Sequence, residues 1–468
     1  MYFFEITWFS KFLVYNIAME NLKDTIVAIS TGSTSGAISI VRLSGDNSIN
    51  IADKIFVSTK KQKPSAFTPR MLELGTITTK NFKEQAMCVV FVAPFSYTGE
   101  NIVEIQCHGG LKIAQGIIEE CLTLGARLAT NGEFTKRAFV NGKMSLASAE
   151  GVMDIINAES DAQVRAGYDL LSGTLSKSAQ QFQDELTDVL SEIEVSFDYP
   201  EEEIEYITKV GVESRLKQMS SALDKIIQTA DTGKLISSGI KVLIVGKPNV
   251  GKSSLLNALL DRERAIVTDV PGTTRDTVED SFSINGIKIK IIDTAGIHDT
   301  VDFVEKIGVE KSKQLINSAD IILFVTDSSR GENEEDSHIF ELIKNKPFIK
   351  IANKADISSL SKTASDKTIV VSSVTGQGIA ELKNKIYDHF AKDSVVESGV
   401  IVTNARHLQA LKNAKISIDN ALDSINNQTL DLVSIDLKLA YSALGEITGN
   451  TTGEDIIDAI FSKFCLGK

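Results

Sequence analysis

The sequence has few cysteines, no long apolar run and no excess of basic residues, and each of these absences excludes a class of protein. Its 468 residues include four cysteines without a CxxC pair, which argues against a zinc site and against the disulfide framework of a secreted protein. No apolar run is long enough to span a bilayer. A formal net charge of −13 argues against a protein that holds nucleic acid by charge alone. We therefore expect a soluble, cytoplasmic protein without stable membrane association, whose RNA contacts are local or shared with a partner.

The first eighteen residues, MYFFEITWFSKFLVYNIA, are apolar and aromatic and precede Met19. They contain Glu5 and lack both a basic start and a small-residue cleavage site, so they make a poor signal peptide. We expect residues 1–18 to be a non-native or mis-assigned extension. A peripheral membrane anchor is the alternative.

The residue pattern changes three times along the chain, which is long enough for two or three hydrophobic cores. Short β-like runs that alternate with turn signals predict a mixed α+β domain over residues 19–141. Heptad-like apolar spacing predicts helices over residues 142–236 and again over residues 393–468. We expect these two segments to form one all-α domain, interrupted by an α/β domain at residues 237–392.

A phosphate-binding loop, GKPNVGKS at residues 246–253, lies between the predicted strand IKVLIV and the predicted helix SLLNALL. Gly246 and Gly251 let backbone N–H groups approach phosphates, and the N-terminus of the helix favours their negative charge. Lys252 is expected to reach the β- and γ-phosphates, and Ser253 to ligate Mg²⁺.

Three further motifs follow in the order and spacing of a GTPase: TTRD at residues 273–276, DTAG at 293–296 and NKAD at 353–356. Thr274 can complete the Mg²⁺ shell, and DTAG ends a predicted hairpin whose Asn285-Gly286 pair suits a tight turn. The Asp356 carboxylate accepts from two N–H donors that guanine has and adenine lacks, so adenine would leave it unpaired. The residues expected to bind GTP are Asn249, Val250, Gly251, Lys252, Ser253, Ser254, Thr268, Asp293, Thr294, Ala295, Gly296, Asn353, Lys354, Asp356, Ser372 and Ser373.

The hydrolytic machinery is incomplete in these motifs. Ile297 stands after Gly296, where a small regulatory GTPase has a glutamine that orients water. We expect Lys252 and Thr274 to act on the phosphates and Mg²⁺, and a further residue to act on the water. The chemistry alone leaves four candidates open: His298, Asp299, Asp302 and Glu305.

The whole chain from residue 19 to 468 resembles the MnmE (TrmE) family of tRNA-modification GTPases. The resemblance rests on the four GTPase motifs together with DTIVAIS, SYTGEN, EIQCHGG, GEFTKRAFVNGK and the terminal FCLGK. It implies a multidomain protein: an α+β N-terminal tetrahydrofolate-binding domain that also dimerises, a discontinuous helical domain, and an inserted P-loop, Ras-like G domain.

The same resemblance implies the site residues and partners. The implied water-activating residue is Glu305, with a K⁺ ion that stabilises charge and Arg275 as the alternative stabiliser. The implied partners are a second copy of the chain, tRNA, and an FAD-dependent MnmG-type protein in a heterotetramer that modifies C5 of the wobble uridine. The implied K⁺ ligands are Asn249, Thr268, Val270 and Thr273. The positions implied to contact 5-formyltetrahydrofolate, or a related one-carbon tetrahydrofolate, are Arg42, Glu100, Lys143 and Lys468.

Two other functions share parts of this pattern. A ribosome-assembly GTPase has the same four motifs, but such proteins append a basic RNA-binding module that neither flank suggests. A membrane-remodelling GTPase would need residues 1–18 as an anchor. Cys465 lies between Phe464 and Leu466, so we expect it to be a packed, small apolar residue.

Overall fold

Two β-sheets organise the chain in the computed structural model. The structure describes residues 24–32, 36–198, 202–260, 281–292, 309–330, 333–357, 368–391, 400–425 and 430–468. These residues form two compact units. The first contains the described residues within 1–153, 170–188 and 441–468, and the second those within 154–169 and 189–440.

The first unit contains a seven-stranded sheet. Its strands are β1 (Ile26–Ile29), β2 (Ile38–Ser44), β3 (Phe56–Ser58), β4 (Glu73–Thr78), β5 (Lys83–Phe91), β6 (Ile102–His108) and β7 (Arg127–Leu128). They lie in the order β3-β4-β5-β6-β2-β1-β7, antiparallel except for the β1–β7 pair. Alternate residues of β2 and β6 are buried, as expected for strands with one face on a core. That face packs against α1 (Ser48–Ile55) and α2 (Leu111–Thr123).

The opposite face of this sheet holds a smaller apolar cluster that includes Ile26 of β1 and Phe134 of α3 (Glu133–Val140). The C-terminal residues belong to the same unit. Phe461 of α15 (Glu454–Phe461) and Phe464 pack with Leu146 of α4 (Leu146–Ile156). The C-terminal helix α15 therefore packs against α4.

The second unit contains a six-stranded sheet. Its strands are β8 (Ile240–Val245), β9 (Ser281–Ile284), β10 (Ile287–Ile291), β11 (Ile321–Asp327), β12 (Phe348–Asn353) and β13 (Thr368–Val370). They lie in the order β13-β12-β11-β8-β10-β9. All neighbours are parallel except β9 and β10. The fully buried strand β11 is typical of a parallel sheet covered on both faces.

Helices cover both faces of the second sheet. One apolar core joins α9 (Lys252–Leu260) and α12 (Ile379–Ala391) to the sheet, and another joins α10 (Val309–Ser318) and α11 (Glu334–Ile343). The remaining helices are α5 (Asp161–Leu171), α6 (Thr174–Asp198), α7 (Glu202–Gln228), α8 (Ala230–Ser238), α13 (Ala405–Ser424) and α14 (Leu430–Thr448).

Helical segments from either side of the G motifs pack together in the second unit. The Ser220 hydroxyl of α7 donates to the Asp419 carboxylate of α13 at 2.7 Å. The backbone of Gly233 in α8 lies so close to the Val402 carbonyl that a Cβ on Gly233 would be 2.0 Å from its oxygen. Residues far apart in sequence thus share one helical core.

The predicted hairpin before DTAG is confirmed. Asn285 and Gly286 have φ values of 49° and 82°, as a two-residue turn of this type requires, and Ile284 pairs with Ile287. Among the helices in the described parts of the chain, none combines the length and apolar character needed to cross a membrane.

Candidate functional site

The phosphate-binding loop follows β8. The next two strands in sequence, β9 and β10, lie on one side of β8, and β11 lies on its other side, so the strand order reverses at β8. Ligands of such sheets bind at the carboxyl ends of the strands where this reversal occurs. Gly251 has a φ of 93°, and a Cβ there would be 2.3 Å from the Asn353 Nδ2 atom. The loop therefore has its shape only with glycine at this position, and Asn249 shares the left-handed backbone with a φ of 63°.

Lys252 and Ser253, the last two residues of the phosphate-binding loop, begin helix α9. The Lys252 ammonium donates to the carbonyl oxygens of Gly246 and Lys247 at 2.9 Å and 2.8 Å. Burial lowers the pKa of Lys252, because desolvation disfavours the charged amine. A cation folded over a loop of backbone N–H groups, at a helix N-terminus, suits a polyphosphate.

Asn353, at the end of β12, joins three of the predicted motifs. Its amide nitrogen donates to the Val250 carbonyl at 2.9 Å, and its amide oxygen accepts from the Ser373 hydroxyl at 2.8 Å and from the Ser373 N–H at 3.2 Å. Asn353 is 1% exposed, so these bonds form away from water. The phosphate-binding loop, NKAD and the Ser372-Ser373 segment therefore meet at one edge of the sheet.

The next residues of NKAD complete this edge. The Lys354 ammonium pairs with the Asp327 carboxylate at 2.7 Å. Burial of Asp327 raises its pKa, but hydrogen bonds from Lys354 and Ser329 outweigh burial and lower the pKa to about 2. Asp356 is exposed and accepts from the Ser372 hydroxyl at 2.6 Å. Its carboxylate is thus held at the mouth of the site, where a base could reach it.

The structure describes the predicted nucleotide positions of the loop, of NKAD and of the Ser372-Ser373 segment around this edge. Val250 is buried, Ser254 is exposed on α9, and the others lie in the loop or in the contacts above. The remaining predicted positions lie outside the described residues: Thr268, Val270, Thr273, Thr274, Arg275, Asp293, Thr294, Ala295, Gly296, Ile297, His298, Asp299, Asp302 and Glu305.

Three of the four predicted folate positions lie around the segment between β5 and β6. Arg42 of β2 pairs with Glu104 at 2.8 Å, and its guanidinium lies over the rings of Tyr97 and Phe134. Glu100 accepts from the Ser44 hydroxyl at 2.6 Å.

Lys143, the third of these positions, lies along the same segment. Its ammonium donates to the Pro94 carbonyl at 3.0 Å. A Cβ on Gly99 would be 3.4 Å from the Lys143 side chain. The Lys143 side chain therefore lies beside Gly99, next to Glu100 in the sequence.

Lys468 follows a tail that is seated on β1. Leu466 forms a β-bridge with Asn131. A Cβ on Gly467 would be 2.0 Å from the Ile29 carbonyl oxygen, and Gly467 has a φ of 89°. The terminal residues thus lie beside the strand that pairs with β2, which carries Arg42.

A buried ion network next to Glu100 was not predicted. Arg137 is fully buried and pairs with Glu100 at 3.2 Å, with Glu133 at 2.9 Å and with Asp24 at 2.6 Å. Burial raises the pKa of Glu100, although Arg137 and Ser44 oppose the change. The four-residue spacing of Glu133 and Arg137 was the one visible signal, but it does not reveal that the pair is buried.

The expectation for Cys465 was wrong. Cys465 is exposed, whereas Cys88, Cys107 and Cys121 are buried. Phe464 turns inward to Phe461, so the next residue faces outward. All four cysteines are free, in line with the absence of a disulfide framework.

Comparison with known proteins identifies the family. A model of the MnmE helical domain matches residues 146–465, and a model of the N-terminus of the GTP-binding protein TrmE matches residues 25–143. The tRNA modification GTPase MnmE of Clostridioides difficile (strain 630) is 43% identical over 457 residues, which cover 96% of this chain and 100% of that protein. The protein of the same name from Alkaliphilus metalliredigens (strain QYMF) is 42% identical over 459 residues, with 96% and 100% covered.

The solved structures add only a partial likeness. A variant of Era from Aquifex aeolicus, bound to GDP and AlF4⁻, is 29% identical and covers 38% of this chain and 66% of that chain, with a TM-score of 0.25. The two family models and the two relatives, each matched over 96% of this chain, show that the chain belongs to the MnmE family of tRNA modification GTPases.

Proposed function

We propose that the chain binds and hydrolyses GTP as a subunit of an enzyme that modifies C5 of the wobble uridine of tRNA. The observation that carries the proposal is the junction at Asn353, which ties the phosphate-binding loop to the two segments expected to hold a base. Asp356 stands at the mouth of that site as an acceptor for guanine N–H groups. The names of the relatives, tRNA modification GTPase MnmE, support the substrate class.

Hydrolysis would need three sets of residues, which act on the phosphates, on the cations and on the attacking water. Lys252 would bind the β- and γ-phosphates, because its ammonium is already held above the loop. Ser253 and Thr274 would hold Mg²⁺, and Asn249 would hold K⁺ together with Thr268, Val270 and Thr273. These cations would offset charge that develops on the phosphates. Glu305 would position the attacking water.

Residues of the N-terminal sheet and its surroundings would bind the folate that supplies the transferred carbon. Arg42 and Lys143 offer cations for the glutamate tail of 5-formyltetrahydrofolate or a related one-carbon tetrahydrofolate, and the Glu100 carboxylate suits the donor-rich edge of its pterin. Lys468 would join them from the tail on β1. The Glu100 carboxylate pairs with Arg137 and accepts from the Ser44 hydroxyl, and these contacts would fix its orientation.

The proposed assembly follows from this division of work. Residues 19–141 would bind folate and dimerise, residues 142–236 and 393–468 would form the helical domain, and residues 237–392 would form the G domain. A homodimer would join an FAD-dependent MnmG-type partner in a heterotetramer in the cytoplasm. It would add an aminomethyl or carboxymethylaminomethyl group to tRNA.

Nucleoside mass spectrometry of tRNA from a deletion strain tests the proposal. We expect the deletion to remove C5-modified wobble uridines, and a plasmid copy to restore them. A Lys252→Ala copy should fail to restore them, whereas Lys344→Ala, an exposed change at the end of α11, should restore them fully. Unchanged wobble uridines in the deletion strain would contradict the proposed function, and a defect in ribosomal subunits instead would favour a ribosome-assembly GTPase.

A further inference from the structure

Lys247, the second residue of the phosphate-binding loop, makes contacts that no proposed nucleotide-binding role accounts for. Its ammonium pairs with the Asp336 carboxylate at 2.6 Å and donates to the Asn333 side-chain oxygen at 2.8 Å. Both partners belong to the cap and first turn of α11, 86 or more residues further along the chain. The start of the loop is therefore bound to α11, which packs on the opposite face of the sheet from α9, the helix that follows the loop.

The two partners of Lys247 are themselves held in place. Asn333 caps α11 by accepting from the backbone N–H groups of Glu335 and Asp336, and Asp336 accepts from the Asn333 N–H at 3.2 Å. This reciprocal arrangement is a capping box, which fixes both side chains relative to the helix. Lys247 thus binds to a preorganised pair of oxygens.

The backbone of Lys247 leads directly to the phosphate-binding lysine. The Lys247 carbonyl oxygen accepts from the Lys252 ammonium at 2.8 Å, beside the Gly246 carbonyl at 2.9 Å. The side chain of Lys247 therefore fastens the same residue whose carbonyl holds Lys252. A shift of Lys247 would move the acceptors that set the position of the Lys252 ammonium.

The Lys247–Asp336 ion pair should add little to the free energy of unfolding. The Asp336 side chain is 3% exposed and that of Lys247 is 16% exposed, and desolvating two charges offsets most of their attraction. The second carboxylate oxygen of Asp336 is buried and has no hydrogen-bond partner within the part of the chain that the structure describes. Stability alone does not explain this pair, whereas a geometric role does.

We propose that the Lys247–Asp336 ion pair, seated on the capping box of α11, is a positioning clamp for the phosphate-binding loop. It holds the Lys247 carbonyl, and through it Lys252, in the arrangement that receives the phosphates. Lys247 and Asp336 are positioning residues in this proposal and do not touch the reacting atoms. The inference rests on the proposed GTPase function and adds to it a determinant of nucleotide affinity outside the predicted set.

The double variant Lys247→Met/Asp336→Asn separates positioning from stability. Lys247→Met alone leaves a buried carboxylate unpaired and should lower the melting temperature. The double variant removes both charges and keeps an acceptor for the cap, so its melting temperature should return to within about 2 °C of the wild type. Its affinity for a fluorescent GDP analogue should stay about tenfold weaker than that of the wild type, which corresponds to about 1.4 kcal/mol.

Steady-state kinetics provide a second readout on the full chain. Because the clamp acts on the bound position of the phosphates, the KM for GTP should rise with the Kd for GDP, while kcat stays within about twofold. Asp336→Asn alone removes the ion pair but leaves Lys247 its hydrogen bond to Asn333, so it should weaken affinity by less than the double variant and without loss of folding. Lys247→Arg keeps the positive charge and should retain most of the wild-type affinity.

A second ion pair at the other end of the same helix is the matched control. Lys344 and Glu341 form an exposed pair there, and Lys344→Met/Glu341→Gln should change neither affinity nor KM. Normal nucleotide affinity in a stably folded double variant, or in Asp336→Asn, would overturn the clamp and leave the GTPase function intact. Failure of the wild-type chain to bind any guanine nucleotide would overturn the proposed function and the clamp together.

Discussion

Asn353 is the side chain on which the arrangement of the nucleotide site depends most directly. It is 1% exposed, and it bonds both the loop carbonyl of Val250 and the hydroxyl of Ser373. A buried amide with all of these partners fixes a unique geometry, because each lost bond leaves a desolvated polar group. Asp356, three residues later, is exposed and accepts from the Ser372 hydroxyl, so a ligand can reach its carboxylate.

Asp356→Asn should shift nucleotide preference from GTP to xanthosine triphosphate. Xanthine has a carbonyl where guanine has its amino group, and an asparagine amide can donate to that carbonyl while a carboxylate cannot. A competition assay with both nucleotides measures the ratio of affinities, which should reverse. Asp388→Asn, an exposed change on α12, serves as the comparison. Unaltered GTP selectivity in Asp356→Asn would show that this carboxylate does not read the base.

Asp327 should contribute stability that depends on pH. Burial raises its pKa, but bonds from Lys354 and Ser329 prevail and lower the pKa from 3.8 to about 2. A lowered folded-state pKa gives stability that is present above about pH 4 and is lost as the pH falls towards 2. Asp327→Asn should therefore lower the unfolding free energy by about 2 kcal/mol at pH 7.

Urea unfolding of the wild type and of Asp327→Asn, followed by circular dichroism from pH 7 to pH 2, measures this contribution. Other carboxylates titrate in both proteins, so the informative quantity is the difference between the two curves, which should shrink to zero near pH 2. A difference that does not change with pH would mean that the Lys354 contact is not the origin of the effect.

Residues within one motif were predictable from the sequence, and residues that meet across the fold were not. The identity of Lys252, Asn353 and Asp356 follows from local spacing, because each motif is a single loop after a strand. The pairing of Lys247 with Asp336 joins two elements separated by most of a domain, and nothing in either segment indicates the other. The exposure of Cys465 was also missed, since the inward turn of Phe464 depends on a distant packing partner.

At the level of elements, local sequence patterns predicted the elements around the phosphate-binding loop. IKVLIV forms β8, SLLNALL lies in α9, and the Asn285-Gly286 turn formed as expected. The order of strands in either sheet could not be derived this way, because pairing between distant strands leaves no periodic trace. The seating of the C-terminal tail on β1 is a contact of this kind.

Gly467 should be essential for the seating of that tail. Its φ is 89°, and a Cβ on Gly467 would be 2.0 Å from the Ile29 carbonyl oxygen, so there is no room for a side chain. Gly467→Ala should displace Lys468 and weaken 5-formyltetrahydrofolate binding about tenfold or more, by calorimetry, while GTP affinity stays unchanged. Gly453→Ala is the matched control, since a Cβ there meets nothing within 4 Å. Normal folate affinity in Gly467→Ala would remove Lys468 from the proposed folate site.

At the scale of the whole molecule, chemistry is distributed over segments far apart in sequence. The folate candidates belong to the first unit and the nucleotide candidates to the second. The helical residues that precede and follow the G motifs pack against each other, as Ser220 and Asp419 do. In the sequence, the nucleotide candidates lie between these two helical segments.

Hydrolysis by the whole protein should depend on K⁺ and on the pairing of two G domains. Ile297 cannot orient water, so the charge that develops between the β- and γ-phosphates needs a cation, which Asn249 and the segment that contains Thr273 would hold. GTP turnover should be fast in K⁺ and slow in Na⁺ at matched ionic strength, because oxygens spaced for the larger ion coordinate the smaller one poorly. Sedimentation with GDP, aluminium fluoride and K⁺ should show paired G domains.

Glu305→Ala tests the remaining step in the same assay. Its carboxylate is proposed to act on the attacking water and on nothing else, so the variant should lose turnover by about a hundredfold or more. Nucleotide affinity and the K⁺-dependent pairing should be retained, because neither involves that water. Equal rates in K⁺ and Na⁺ would contradict the cation mechanism for the wild type. Full turnover in Glu305→Ala would instead return the role to His298, Asp299 or Asp302, each of which can then be replaced in turn.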